Sequence, residues 1–153
     1  MAPAHQERAR KALAEVGRKE IAVRKEALKS RSDHMREAQT VFNQWVRLRD
    51  ADQPCISCGR HHQGKYDAGH FRTTAACPEL RFEPLNVWKQ CVPCNQHKSG
   101  DILNYRINLV LRIGADKVAW IEGPHEPKRY TIEDLKEIKA HYRALIRELK
   151  GVA

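Results

Sequence analysis

Apolar positions along this chain change period several times, and each change marks an element. In "SDHMREAQTVFNQWVRLRD", Met35, Ala38, Phe42, Trp45 and Val46 fall on one face of a helix. Ser32 is its expected N-cap, and Asp52 with Pro54 ends it. After Gly64 the pattern becomes alternating: Tyr66, Ala68 and His70 on one side, Asp67, Gly69 and Phe71 on the other, as in a strand. "LRFEPLNVWKQC" is a second extended segment, interrupted at Pro84. A helix is expected to begin near Pro93, a residue suited to a first turn.

The last third returns to helical spacing. "DILNYRINLVLRIG" stops at Gly114 and "ADKVAWIEG" at Gly123. "TIEDLKEIKAHYRALIRELK" opens on Thr131 with an acid three residues on, a capping box. Ile132, Leu135, Ile138, Tyr142, Leu145 and Leu149 form its apolar face. The pattern divides the chain into an arm (1–30), a leading helix (31–54), a core (55–100) and a helical region (101–153).

The arm differs in composition. Arg8, Arg10, Lys11, Arg18, Lys19, Arg24, Lys25 and Lys29 face only Glu7, Glu15, Glu20 and Glu26, and Leu13, Val16 and Ile21 are too sparse for a core. A solvated helix or a partly disordered basic arm is expected, serving as a DNA-tracking arm or as a linker. Net charge over the 153 residues is +9, which makes a polyanion a sensible partner. No run of about 18 apolar residues is present to span a membrane, and "MAPAHQERARKALAEVGRKE" lacks a signal-peptide core. A cytoplasmic location is therefore expected, where reduced thiols favour metal binding over disulfides.

Four of the 5 cysteines stand in two C-x-x-C pairs, Cys55 with Cys58 and Cys91 with Cys94. Two such turns supply four thiolates for a tetrahedral Zn²⁺. A redox C-x-x-C would be expected beside a βαβ pattern, which is missing. The remaining Cys77 reads as a small buried residue.

Between the clasps stand His70 on a strand and Asn86 five residues before the second pair, which is followed at once by Asn95. This order resembles the HNH, or His-Me finger, nuclease motif in its zinc-stapled form. "PCISCG", "DAGHFRTTAA", "LRF", "KQCVPCNQHKSG" and "IEDLKEIKAHY" together resemble the phage recombination endonucleases of the lambda NinG (Rap) family, from about Leu28 onward. Larger members of that family carry a further N-terminal cysteine cluster that this sequence lacks.

The resemblance implies an α+β, mostly helical fold: a zinc-stapled ββα-metal core with flanking helices. It implies a metal-dependent endonuclease that cuts Holliday junctions and D-loops in the cytoplasm of a bacterial host. The alternatives are a general HNH nicking enzyme without junction preference and a non-catalytic zinc-stapled DNA-binding module. His70 is the expected general base, Asn86 the residue that orients it, and Asn95 an oxygen ligand for Mg²⁺ or Mn²⁺. The family often has a metal ligand just before the base histidine, where this chain has Gly69; Asp67 is expected to reach across the space that glycine leaves. Arg72 and Lys98 are expected phosphate clamps, His97 a phosphate contact or a support behind the metal ligands, and His61 and His62 surface or DNA contacts. Paired cuts in a symmetric junction suit a homodimer, with residues 32–50 and 131–150 as candidate interfaces.

Overall fold

The computed structural model describes residues 3–151. Helix α1 (Pro3–Ala27) and helix α2 (Arg31–Arg49) lead into an antiparallel pair of strands, β1 (Tyr66–His70) and β2 (Val87–Cys91). Helices α3 (Ile102–Ile113), α4 (Ala115–Glu122) and α5 (Ile132–Leu149) follow. The fold is thus mostly helical α+β with a two-stranded sheet.

Local chemistry sets the helix starts. Ser30, not Ser32, caps α2: its Oγ accepts from Asp33 N at 3.2 Å, and Asp33 Oδ2 accepts from Ser30 N at 3.0 Å. The acid at the third helical position selects the serine that can complete a reciprocal box. Thr131 and Asp134 make the same box at α5, with bonds of 3.1 and 2.9 Å. Gly114, at φ 91, ends α3 and turns the chain into α4.

The sheet is covered on both faces. On one, Ala68 and Val87 join Ala38, Phe42 and Val46 of α2 and Leu135, Tyr142 and Ile146 of α5 in a shared core. Phe42 meets Phe82 and Tyr142 edge-on, with ring centroids 5.6 and 4.8 Å apart. A second core gathers Ile56, Phe71 and Leu80 with Tyr105 and Leu109 of α3 and Val118 and Ile121 of α4. Tyr105 donates its hydroxyl to the Gly69 carbonyl at 2.7 Å, joining α3 to the middle of β1.

The C-terminal end of α2 is fastened to β2 by a charge cluster. Asp50 is buried; it accepts from Arg49 Nε at 2.7 Å and from the Lys89 backbone N–H at 3.0 Å. The Arg49 guanidinium donates to the carbonyls of Pro84 and Val87 and lies 4.1 Å from the centre of the Trp88 ring. The basic arm is helical over Pro3–Ala27 and buries none of the side chains of residues 4–27. Among the described residues no helix is long and apolar enough to cross a membrane.

The helix expected at Pro93 does not continue into α3. Residues Pro93–His97 form one wide turn, closed by Lys98 N to Pro93 O at 3.1 Å, and the chain then breaks. Ser99, Gly100 and Asp101 all take positive φ (50, 84 and 45°), which reverses the helical sense before Ile102. Gly100 N still reaches back to Cys94 O at 2.9 Å, so the break stays tied to the clasp.

Candidate functional site

The cysteine pairs converge. The Sγ atoms of Cys55, Cys58, Cys91 and Cys94 all lie within 4.8 Å of one another. A tetrahedral zinc with Zn–S near ~2.3 Å places its sulfurs about 3.8 Å apart, and Cys58 and Cys91 lie 3.9 Å apart. Four soft donors in this arrangement could hold a zinc ion. The Cys91 N–H points at Cys55 Sγ at 3.3 Å, which favours a thiolate there. Cys77 is buried in the second core and takes no part; its thiol meets Glu79 Oε1 at 3.1 Å.

Beside the clasp lies a cleft of about 450 Å³, lined by Ala68, His70, Thr73, Thr74, Asn95, Ser99, Gly100 and Ile102. His70 is the last residue of β1, and Asn95 sits in the turn that the clasp starts. The structure thus brings these two to one concavity. His70 Nε2 lies 2.9 Å from the Arg81 carbonyl. A carbonyl only accepts, so Nε2 carries the proton and Nδ1 of the neutral ring keeps its lone pair. Burial holds the ring below the ordinary histidine pKa; the Arg81 charge adds to this and the Arg81 carbonyl opposes it.

Asn86 is fully buried. Its Oδ1 accepts from Arg72 N at 2.8 Å, while Nδ2 donates to Arg72 O at 3.0 Å and Leu80 O at 3.2 Å. The Asn86 carbonyl also accepts from Phe71 N at 2.8 Å. One amide therefore fixes the loop that carries Arg81, and through it the His70 ring.

Asn95 Nδ2 donates to Asp67 Oδ2 at 2.9 Å, and Gln96 Nε2 donates to the same oxygen at 2.8 Å. The carboxylate identifies the donor end of the Asn95 amide, leaving Asn95 Oδ1 as a free hard acceptor. The expected gap beside Gly69 does not exist. A Cβ on Gly69 would lie 2.0 Å from Gln90 Oε1, because the buried Gln90 side chain fills that space. Gln90 crosses there to reach Ser57 Oγ at 2.7 Å and the Gly100 carbonyl. Asp67 thus meets Asn95 along its own edge of the strand, not across position 69.

Arg72 lies against the end of α4. Its Nη1 donates to the Ile121 carbonyl at 3.1 Å and the Gly123 carbonyl at 3.0 Å, where α4 ends. Carbonyls at the negative end of a helix are a natural guanidinium site, and they hold Arg72 by one of its nitrogens. His62 lies against the clasp, its Nε2 3.2 Å from Cys58 Sγ, and its backbone N–H donates to Tyr66 Oη at 2.6 Å. His61, His97 and Lys98 are exposed and stand outside the cleft walls. Gln90, Gln96, Thr73 and Thr74 carry no signal of their own in the sequence; the strand register, which pairs Asp67 with Gln90, is what reveals Gln90.

These features define a mostly helical α+β protein whose small sheet is clasped by four cysteines able to hold a metal ion. The chain belongs to the NinG family: residues 2–151 match the family described as Bacteriophage Lambda NinG protein. It is 50% identical over 131 residues to the protein ninG of Escherichia phage lambda, covering 86% of this chain and 64% of that protein. It is 49% identical over 130 residues to the protein ninG of Salmonella phage P22, covering 85% and 64%. The corresponding protein of Escherichia phage 933W is 48% identical over 131 residues, covering 86% and 65%. The chain therefore spans a little under two thirds of the length of these relatives. No solved structure matches.

Proposed function

We propose that the protein is a metal-dependent DNA endonuclease that cuts branched recombination intermediates such as Holliday junctions and D-loops. The observation that carries this reading is the bond between His70 Nε2 and the Arg81 carbonyl. It leaves Nδ1 as the base of a neutral, partly buried ring on a cleft shared with Asn95.

Hydrolysis of a phosphodiester needs an activated water. His70 Nδ1 takes the proton from that water. Asn86 and Arg81 keep the ring in the tautomer that can do so. Asp67 holds the Asn95 amide by its nitrogen and so leaves Asn95 Oδ1 free. Asn95 Oδ1, on the cleft, is a hard oxygen donor that fits Mg²⁺ or Mn²⁺, and Asp67, which does not line the cleft, orients it. A divalent cation held there would offset negative charge on the phosphate and on the departing oxygen. The four cysteines hold the turn that bears Asn95 in register with the strand that bears His70.

The net charge of +9 suits a nucleic-acid substrate. The test is cleavage of end-labelled four-way junction, D-loop and linear duplex, with Mg²⁺ or with chelator, beside His70→Ala. Metal-dependent cutting of branched substrates, absent in the variant, is expected. Equal cutting by His70→Ala would overturn the site. Linear duplex cut as fast as junction would support a nicking enzyme without junction preference.

A further inference from the structure

On another side of Arg81 lies a second concavity, outside the cleft. One hollow of about 450 Å³ is lined by Arg31, Met35, Arg36, Gln39, Asn43 and Arg81, among others. An adjoining hollow of about 310 Å³ is lined by Arg31, Met35, Pro78, Arg81, Arg129 and Tyr130, with Lys128 at its wall. The two share Arg31, Met35 and Arg81, so they adjoin along one surface, here taken together as a groove.

The groove is cationic, and neutral groups hold three of its five cations in place. Arg31 Nη1 donates to the Tyr130 carbonyl at 3.2 Å, and Arg81 Nη1 donates to Gln39 Oε1 at 3.1 Å. The Lys128 ammonium sits 5.0 Å from the centre of the Tyr130 ring. Among the described residues, no carboxylate lies within ion-pair distance of Arg31, Arg81, Lys128 or Arg129; Arg36 alone is paired, with Asp33. Neutral partners orient Arg31, Arg81 and Lys128 and leave their charge for something from outside. Rigid guanidinium groups on a polar groove suit the oxygens of a phosphodiester backbone.

This groove and the cleft share no lining residue. Arg81 is the link: its carbonyl holds His70, and its side chain forms the wall of the groove. We infer that the groove binds the phosphate backbone of a second duplex arm while the first lies in the cleft. The inference rests on the nuclease reading for its first arm. It accounts for a preference for branched over linear DNA that the cleft alone does not supply.

The test separates binding from cutting. Fluorescence anisotropy of dye-labelled four-way junction and linear duplex is titrated in chelator, across a range of salt. The double variant Lys128→Gln/Arg129→Gln changes two exposed side chains, and an unchanged melting temperature checks its fold. Junction affinity is expected to fall at least about tenfold, with a salt slope shallower by about two. Linear duplex affinity should change much less. Equal loss on both DNAs, or no loss on the junction, would overturn the second-arm site. A parent that binds but never cuts, with the junction-selective loss retained, would overturn the nuclease reading and leave the groove standing.

Discussion

The buried side chain of Gln90 occupies the volume that any side chain at position 69 would need, its Oε1 standing 2.0 Å from where a Cβ on Gly69 would be. A side chain at the position before His70 would therefore need Gln90 to shift. Gln90 in turn links β2 to Ser57, just before the second clasp cysteine of the first pair, and to Gly100, just before α3.

Gly69→Ala should consequently lower stability by about 1–3 kcal/mol, the usual cost of overpacking a core. Gly69→Ala/Gln90→Ala should lose less than the sum of the two single changes, because they share one space. Urea unfolding of the four proteins gives the coupling directly. Simple additivity would show that Gln90 moves aside freely.

Asn86→Asp should be nearly as damaging as Asn86→Ala. A carboxylate can still accept from Arg72 N, but it cannot donate to the Arg72 and Leu80 carbonyls. Leaving those buried acceptors unpaired should cost about 2–4 kcal/mol. Chemical denaturation reads the loss; an Asp variant as stable as the parent would contradict the bonding scheme.

Cleavage should rise with pH and level off below the usual histidine range. Burial lowers the His70 pKa, and only the neutral ring can accept the proton from water. The sign is fixed: activity is lost as pH falls through the lowered pKa and is flat above it. The same shift makes the folded chain bind this proton less readily than the unfolded chain, so acid also weakens the fold. Single-turnover rates from about pH 5 to 8 should show a half-maximum under ~6.5. A half-maximum above that value would count against His70 as the base.

Zinc should follow the clasp and ignore the fifth cysteine. Purified protein is expected to carry about one zinc per chain, by elemental analysis. Cys91→Ser should lose the metal and much of the folded population, since binding and folding are coupled. Cys77→Ser should keep both, because Cys77 lies in a different core from the other four. Equal zinc loss in the two variants would contradict the assignment.

Much of this was legible because it is local or compositional. The Thr131–Asp134 box lies within four residues, and the two C-x-x-C turns fix their own geometry. The same rule misplaced the start of α2 by two residues, since Ser30 and Ser32 both precede the apolar stripe and only Asp33 distinguishes them. What was not legible is long-range. The partners of Arg72 Nη1 are carbonyls 49 and 51 residues away, and backbone acceptors leave no mark in a sequence. Gly69 looked like a vacancy because the strand pattern shows which face a residue is on, not what the facing strand puts there. The break at Ser99–Asp101 escaped for a related reason. Two of its three positive-φ residues are not glycine, and the bond from Gly100 to Cys94 helps hold them there.

Helix α1 carries one further consequence. Twenty-five residues of helix make a rod about 37 Å long, yet no side chain of residues 4–27 is buried. Its root is fastened by Lys29, which pairs with Glu26 in its own segment and with Glu37 of α2, and Glu37 also pairs with Lys139 of α5. The packed body owes the rod almost nothing. It is therefore a natural graft point, where a reporter, an affinity tag or a surface tether can replace α1 while the clasp, the cleft and the groove keep their shape.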